Sequence, residues 1–258
     1  MRIIVLVKEV PDTYGDRVLS LETGLADRGV SEAVLDEIGE RAVEAALRVA
    51  EAHAGVEVTV VSMGPAGSVS TVRKALAMGA DRGVHVVDEG LVGADAGLTA
   101  EVLAAAVSRA GFDVVLAGNA STDGAGGVVP AMVAEVLSVP HLTGLSSAEI
   151  SPEGVSGTRP VEGGVQRVSA GLPAVVSVTE AFPDGRFPNF KGIMAAKKKP
   201  LDTVSVSELG VDVEDWSVGR SILVSVAERP PRAAGVKIVD EGDAGEQLAA
   251  FLAENRLA

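Results

Sequence analysis

Four short, almost unbroken apolar runs alternate with amphipathic segments along the first half of the chain, and few architectures accept that order. The runs are IIVLV at 3–7, VEVTVVSM at 56–63, GVHVVD at 83–88 and DVVLAG at 113–118. Continuous Val, Ile and Leu without polar alternation suits strands covered on both faces rather than on one. Between them, 36–52, 69–78 and 95–110 repeat apolar residues at helical spacing, with Asp or Ser at their starts to accept from free N–H groups of the first turn. Strand and helix in strict alternation imply parallel strands with helices on both faces, a Rossmann-like three-layer α/β/α fold with a mostly parallel sheet. Gly79, Ala80 and Asp81 read as a helix stop feeding the next strand, because Gly readily takes the left-handed conformation at that position.

From about Pro140 the pattern changes. GVSGTRPVEGGVQRVS at 154–169 alternates apolar and polar residues around Gly turns, which predicts an antiparallel hairpin added to the parallel sheet. PAVVSVT at 173–179 reads as one more buried strand. Beyond Pro200 the segments shorten: a single Trp at 216, a strand-like SILVSVA at 221–227, the breaker Pro230-Pro231, and a helical spacing of Leu248, Phe251, Leu252 and Leu257 within 244–257. The expected organisation is an α/β domain over 1–200 and an arm with a final helix over 201–258. Nothing repeats at a fixed period.

With 258 residues, 47% of them hydrophobic, the chain has ample material for a buried core. It contains no cysteine, which excludes disulfides, thiolate metal sites and a Cys nucleophile. His53, His85 and His141 lack ligand spacing and read as packing or surface residues, so no metal is expected. A formal net charge of −14 argues against nucleic acid and anionic membranes as general partners. The apolar stretch before Lys8 is too short for a spanning helix and lacks the parts of a signal peptide, so no membrane insertion is expected and the expected location is cytoplasmic.

One turn carries candidate binding chemistry. Gly118, Asn119, Ala120, Ser121, Thr122, Asp123, Gly124, Ala125, Gly126 and Gly127 follow an apolar strand and precede a helix starting near Val128. Open parallel sheets place ligands just beyond the carboxyl ends of strands. The glycines let backbone approach a ligand, and free N–H groups at the helix start would favour a phosphate. Ser121, Thr122 and Asp123 would add hydrogen bonds or cap the helix. The turn is neither a Walker loop nor G-x-G-x-x-G, since Val129 takes the last position of that spacing, and a plain tight connection stays open.

A second stretch, RFPNFKGIMAAKKKP at 186–200, sets Phe187, Phe190, Ile193 and Met194 directly before Lys197, Lys198 and Lys199. Neither strand alternation nor a full helical face accommodates all four apolar residues. They either enter the core of this chain while the lysines are solvated, or form a surface that another molecule covers.

Arg186, Phe190, Ile193, Met194, Ala196 and Lys197 to Lys199 resemble, in that order, the signature of the β subunits of electron transfer flavoproteins (ETF). The S-T-D-G turn at 121–124 is similar to the adenosine monophosphate (AMP) loop of the same family. VKEVPDT at 7–13, DEIGERAVEAAL at 36–47, KALAMGADRGVHV at 74–86 and PRAAGVK at 231–237 extend the resemblance over nearly the whole chain. It implies an adenine-nucleotide-binding α/β fold with AMP as a structural ligand. By position, the contacts would be Leu6, Asp36, Glu37, Ile38, Gly39, Met63 and Gly118 to Val129, including Ala125 and Val128. Val128 stands where the family often has glutamine, and Ala125 where it often has a polar or acidic residue, so phosphate would be held mainly by backbone N–H groups.

The resemblance further implies no bond chemistry in this chain. A larger α subunit would hold FAD, and electrons from acyl-CoA-type dehydrogenases would pass through that flavin to a quinone reductase. Arg186, Phe187, Phe190, Ile193, Met194 and the lysines would dock the dehydrogenase, with Phe190 where many members carry leucine, while Tyr14 would approach the flavin and the 201–258 arm would pack on the α subunit. Some members hold a second FAD in place of AMP, and the loop accommodates either. A nucleotide-dependent hydrolase or ligase would need an S-G-G-x-D-S turn, which the end of the first strand lacks. A stand-alone adenine-binding module would form a homodimer instead of requiring a flavin-bearing partner.

Overall fold

The computed structural model describes residues 1–215, 217–235 and 237–257. Trp216, and Val236 within the 231–237 run, lie outside the described residues. By contact the chain forms two units, Met1–Val224 and Ser225–Ala258.

In the first unit, β1 (Arg2–Leu6) leads into a small pair, β2 (Glu9–Pro11) and β3 (Ala33–Leu35), joined by a long loop and followed by α1 (Glu37–Ala52). The alternation continues through β4 (Glu57–Met63), α2 (Val69–Met78), β5 (Arg82–Val86), α3 (Ala96–Ala110), β6 (Val114–Gly118) and α4 (Val129–Leu137). Then come β7 (His141–Leu145), β8 (Ser147–Ser151), β9 (Gly154–Val161), β10 (Gly164–Ala170) and β11 (Ala174–Val178), and after them α5 (Phe190–Ala196), β12 (Leu201–Val204) and α6 (Val206–Leu209).

Seven strands form one sheet in the order β12-β5-β4-β1-β6-β11-β7, and every pairing in it is parallel. Alternate residues of β1 serve opposite layers. Ile3 and Val5 pack with Val43, Leu47, Val72 and Leu76 of α1 and α2, whereas Ile4 and Leu6 pack with Val102, Leu103, Val107 and Val133 of α3 and α4. Both faces are covered, which is why the central strands are apolar on both sides with few polar interruptions. The buried His85 on β5 meets Ser68 Oγ at 2.9 Å, a packing role as expected.

The chain winds outward from β1 through β4 and β5, then crosses back to β6 on the other side of β1. Strand order therefore reverses between β1 and β6, the place where such sheets open a crevice at their carboxyl ends.

The antiparallel addition has three strands, β10-β9-β8, one more than the expected hairpin. Two expectations for the C-terminal region are corrected. Residues 201–224 belong to the first unit, because β12 pairs with β5 and extends the main sheet, so the boundary lies at Val224 and not at 200. Among the described residues, 221–227 form no strand, because that backbone has no partner segment to pair with, and Ile222, Leu223 and Val224 are exposed. In the second unit the expected final helix, α7 (Ala244–Glu254), is present and has no buried residue.

Candidate functional site

The reversal point holds a cleft of about 710 Å³, within the range of small-molecule sites. Leu6 at the end of β1, Met63 at the end of β4, and Asp36, Ile38 and Gly39 at the start of α1 line it. So do Gly118, Asn119, Ala120, Ser121, Gly124, Gly126, Gly127, Val128 and Val129. Gly118 must be glycine for a packing reason: a Cβ there would come within 2.5 Å of the Ile38 side chain.

The turn after β6 is shaped by its own backbone. The Ala125 N–H donates to Ser121 O, Ala125 has φ +51° and Gly127 has φ +65°, the left-handed region that favours glycine. Pro130 sits in the first turn of α4, and the Val128 cap offers no side-chain acceptor. Among the described residues no backbone acceptor is recorded for the N–H groups of Gly126, Gly127, Val128 and Val129. They stand at the start of a nine-residue helix, where a negative group is favoured.

Four of the expected contact residues do not line the cleft: Glu37, Thr122, Asp123 and Ala125. Glu37 is exposed on α1. The Thr122 N–H donates to Asp36 Oδ2 at 2.9 Å, tying the turn to the start of α1. Asp123 accepts from Lys8 Nζ at 2.7 Å and from its neighbour's N–H, Gly124, at 2.6 Å. Burial disfavours the charged form of Asp123, but the Lys8 ion pair outweighs it and holds the carboxyl below its usual range. Asp36 goes the other way: burial pushes it up, against the hydrogen bond that Oδ2 accepts from the Thr122 N–H. It is 1% exposed, and its Oδ1 has no partner among the described residues. Asp36 lines the cleft, where a buried acceptor without a partner suits a hydroxyl donor, and the unpaired N–H groups before α4 suit a phosphate.

Sequence reasoning missed the cleft's other walls. Gly64, Pro65 and Ala66 follow β4, and Val87, Asp88 and Glu89 follow β5. The strand-end rule already in use would have found them. Leu25, Ala26 and Arg28 come from the long loop between β2 and β3, and no local signal places that loop over the cleft.

The 186–200 stretch resolves into a short helix on a firm seat. Asn189 Oδ1 accepts from the Gly192 N–H at 2.8 Å and caps α5. Ala196 is buried, and Gly192 lies so close to α2 that a Cβ would approach Ala77 O to 2.4 Å. On the outer side Phe187 is 96% and Phe190 79% exposed, with Ile193 and Met194 about half exposed. The apolar residues therefore do not enter the core of this chain.

Arg186 faces inward. Its Nε meets Glu44 Oε2 at 2.7 Å and its guanidinium also reaches Glu51, both carboxylates on α1. These bonds, to Glu51 and then to Glu44, raise the Arg186 pKa further. Arg41 pairs with Asp184 and donates to Phe182 O at the head of the same loop. At the other end the three lysines separate. Lys199 Nζ donates to Leu76 O, Gly79 O and Ala80 O at 3.0, 3.0 and 2.6 Å, closing the carbonyl end of α2, and burial lowers its pKa. Lys197 and Lys198 are exposed. Tyr14, 97% exposed, shares with Phe187 a second concavity of about 390 Å³.

A doubly wound, all-parallel sheet with a ligand-sized cleft at its reversal point defines a Rossmann-like α/β protein. The profile of the family described as Electron transfer flavoprotein domain matches residues 23–209. Proteins named electron transfer flavoprotein subunit beta are similar throughout. The Mycobacterium leprae protein is 45% identical over 99% of this chain and 98% of its own length. The Mycobacterium tuberculosis H37Rv protein is 44% identical over the same shares, and the Mus musculus protein is 34% identical over 98% and 97%. The chain belongs to the electron transfer flavoprotein family, and its relatives are β subunits of that family.

Proposed function

We propose that this chain is the non-catalytic β subunit of a cytoplasmic electron transfer flavoprotein. In this reading a larger α subunit holds FAD, which supplies the redox chemistry, while this chain keeps AMP in the cleft as a structural ligand. The 225–258 unit packs on the α subunit. The α5 segment docks acyl-CoA-type dehydrogenases, whose electrons go on to a quinone reductase. The observation that carries this reading is the outward face of the 187–194 segment: Phe187 ahead of α5, and Phe190, Ile193 and Met194 on it, are held in water while Arg186 is tied to α1 and Gly192 and Lys199 sit against α2. Exposed aromatic anchors on a pre-organised element are what a transient protein contact needs. The cleft supports AMP through Asp36 Oδ1 and the free N–H groups before α4.

Co-expression with the α subunit, purification and a count of nucleotides released on denaturation test it. One FAD and one AMP per heterodimer are expected. Two FAD would instead indicate a second flavin in this cleft and division of electron pairs between two acceptors. Absence of any flavin-bearing complex would point to a stand-alone adenine-binding module.

A further inference from the structure

Cations gather at the glycine turn of an acidic chain. The protein carries a formal −14, yet Lys8, Arg17 and Arg28 converge on residues 121–124. Lys8 Nζ is 2.7 Å from Asp123 Oδ1 and 3.3 Å from Ser121 Oγ. Arg28 reaches Asp123 Oδ2 at 3.5 Å and donates to Glu9 O at 3.0 Å, and Arg17 donates to Thr122 O. Among the described residues Asp123 is the only carboxylate in ion-pair contact with any of the three. Around this turn three cations stand against one contacting carboxylate, Asp123, with Asp36 joined to the same turn through the Thr122 N–H. A positive focus inside an acidic surface is an anion site. It also lies on the right wall: Lys8 and Arg28 line the cleft beside Gly124, Gly126 and Gly127, and a Cβ on Gly124 would stand 3.9 Å from Lys8 Nζ. Besides Asp36, the acidic residues of the cleft are Asp88 and Glu89 of the β5 wall, and Asp88 is engaged by the N–H groups of Gly90 and Val206.

Two further details say how such a site works. Lys8 and Arg28 are 44% and 37% exposed, so both side chains keep some freedom, and Asp123 still has Arg28 at 3.5 Å if Lys8 turns to a ligand. The buried Asp36 Oδ1, on the same cleft and without a partner, calls for a hydroxyl donor. We propose that Lys8 leaves Asp123 to bind a dianionic phosphate group on the Gly124–Val129 turn, Arg28 remaining on Asp123, while a sugar hydroxyl of the same ligand donates to Asp36 Oδ1. This rests on the nucleotide reading above and deepens it: phosphate is held by a side-chain cation as well as by backbone N–H groups. A phosphate monoester such as AMP and the pyrophosphate of FAD offer the same dianion.

The experiment uses the heterodimer with its native α subunit, stripped of the nucleotide in this cleft, and compares wild type, Lys8→Met and Lys8→Arg for binding of AMP and of adenosine. Lys8→Met is expected to raise the Kd for AMP about ten- to a hundred-fold, the loss of a charge-assisted hydrogen bond, with adenosine binding unchanged and Lys8→Arg retaining AMP. Equal AMP affinity in wild type and Lys8→Met overturns the proposal. So does an equal loss for AMP and adenosine, which would make Lys8 a support of the loop only. The mass of the nucleotide released before stripping separates the two sources, AMP for the monoester and FAD for the pyrophosphate. If the wild-type cleft releases no nucleotide and binds no AMP, the nucleotide reading itself fails before Lys8 is in question.

Discussion

Glu44 is the residue on which the docking segment hangs. Its carboxylate is 4% exposed and is shared by Arg48, one turn along α1, and Arg186, far away in sequence. Burial alone would push its pKa up, but the hydrogen bonds from Arg186 and Arg48 prevail and hold it below the usual range. A folded-state pKa below the unfolded value means stabilisation that is present above about pH 4.3 and is lost as pH falls through the folded pKa. Arg186→Ala should therefore cost about 1–2 kcal/mol at pH 7, and the gap to wild type should narrow as pH falls below the usual carboxylate range and Glu44 protonates. Urea denaturation across that pH range measures it, and a gap independent of pH would mean that Glu44 is not the group involved. Sequence could not show this role. The resemblance marks Arg186 as part of a docking signature, but its partner is 142 positions away, and only folding brings the two together. The lysine run has the same lesson in reverse: three identical neighbours divide into one half-buried donor and two solvated charges, because a helix end sits beside the third.

At the scale of elements, the parallel strands and the helices at 37–52, 69–78 and 96–110 are legible within a residue or two, since covered strands and amphipathic helices leave different periods in the sequence. The glycine turn is legible as a strand-to-helix connection, though Thr122 and Asp123 prove to brace it instead of facing the cleft. The 12–32 loop is not legible, because its fixed points are long-range pairs such as Arg28 with Glu9 O and Asp123. For α5 the cap was the missing sign. Seven residues are too few for a stable free helix, so its order depends on Asn189 and on the seat provided by α2. Asn189→Ala should loosen α5 by about 1 kcal/mol and raise the dehydrogenase concentration needed for half-maximal reduction, with FAD and AMP content unchanged. Phe190→Ala should raise it further, because it removes the anchor itself, an effect of about ten-fold. Steady-state reduction at varied dehydrogenase concentration reads both, and an unchanged rate for Phe190→Ala would remove the docking role.

For the whole molecule, the division at Val224 separates a unit with its own two-layered core from a tail whose helix buries nothing of itself. Exposed Ile238, Val239, Leu248 and Phe251 on that tail lack a cover within the described residues. A chain ending at Val224 should keep a cooperative melt within about 3 °C of the full chain and fail to join the α subunit in size-exclusion chromatography. A large drop in melting temperature would make the tail part of the first unit's stability, and retained assembly would move the partner surface elsewhere. The sequence placed this boundary 24 residues early, because β12 is short and only its pairing with β5 reveals it as the sheet's edge. The tight fit of Gly192 against Ala77 O has a consequence for how such a protein diversifies. At Gly192 the inward side of α5 admits no added atom, while Phe187 ahead of the helix and Phe190, Ile193 and Met194 on its outward side are free of the core. Partner choice can then drift by exchanging outward residues alone, as a key is recut without touching the lock that holds its bow.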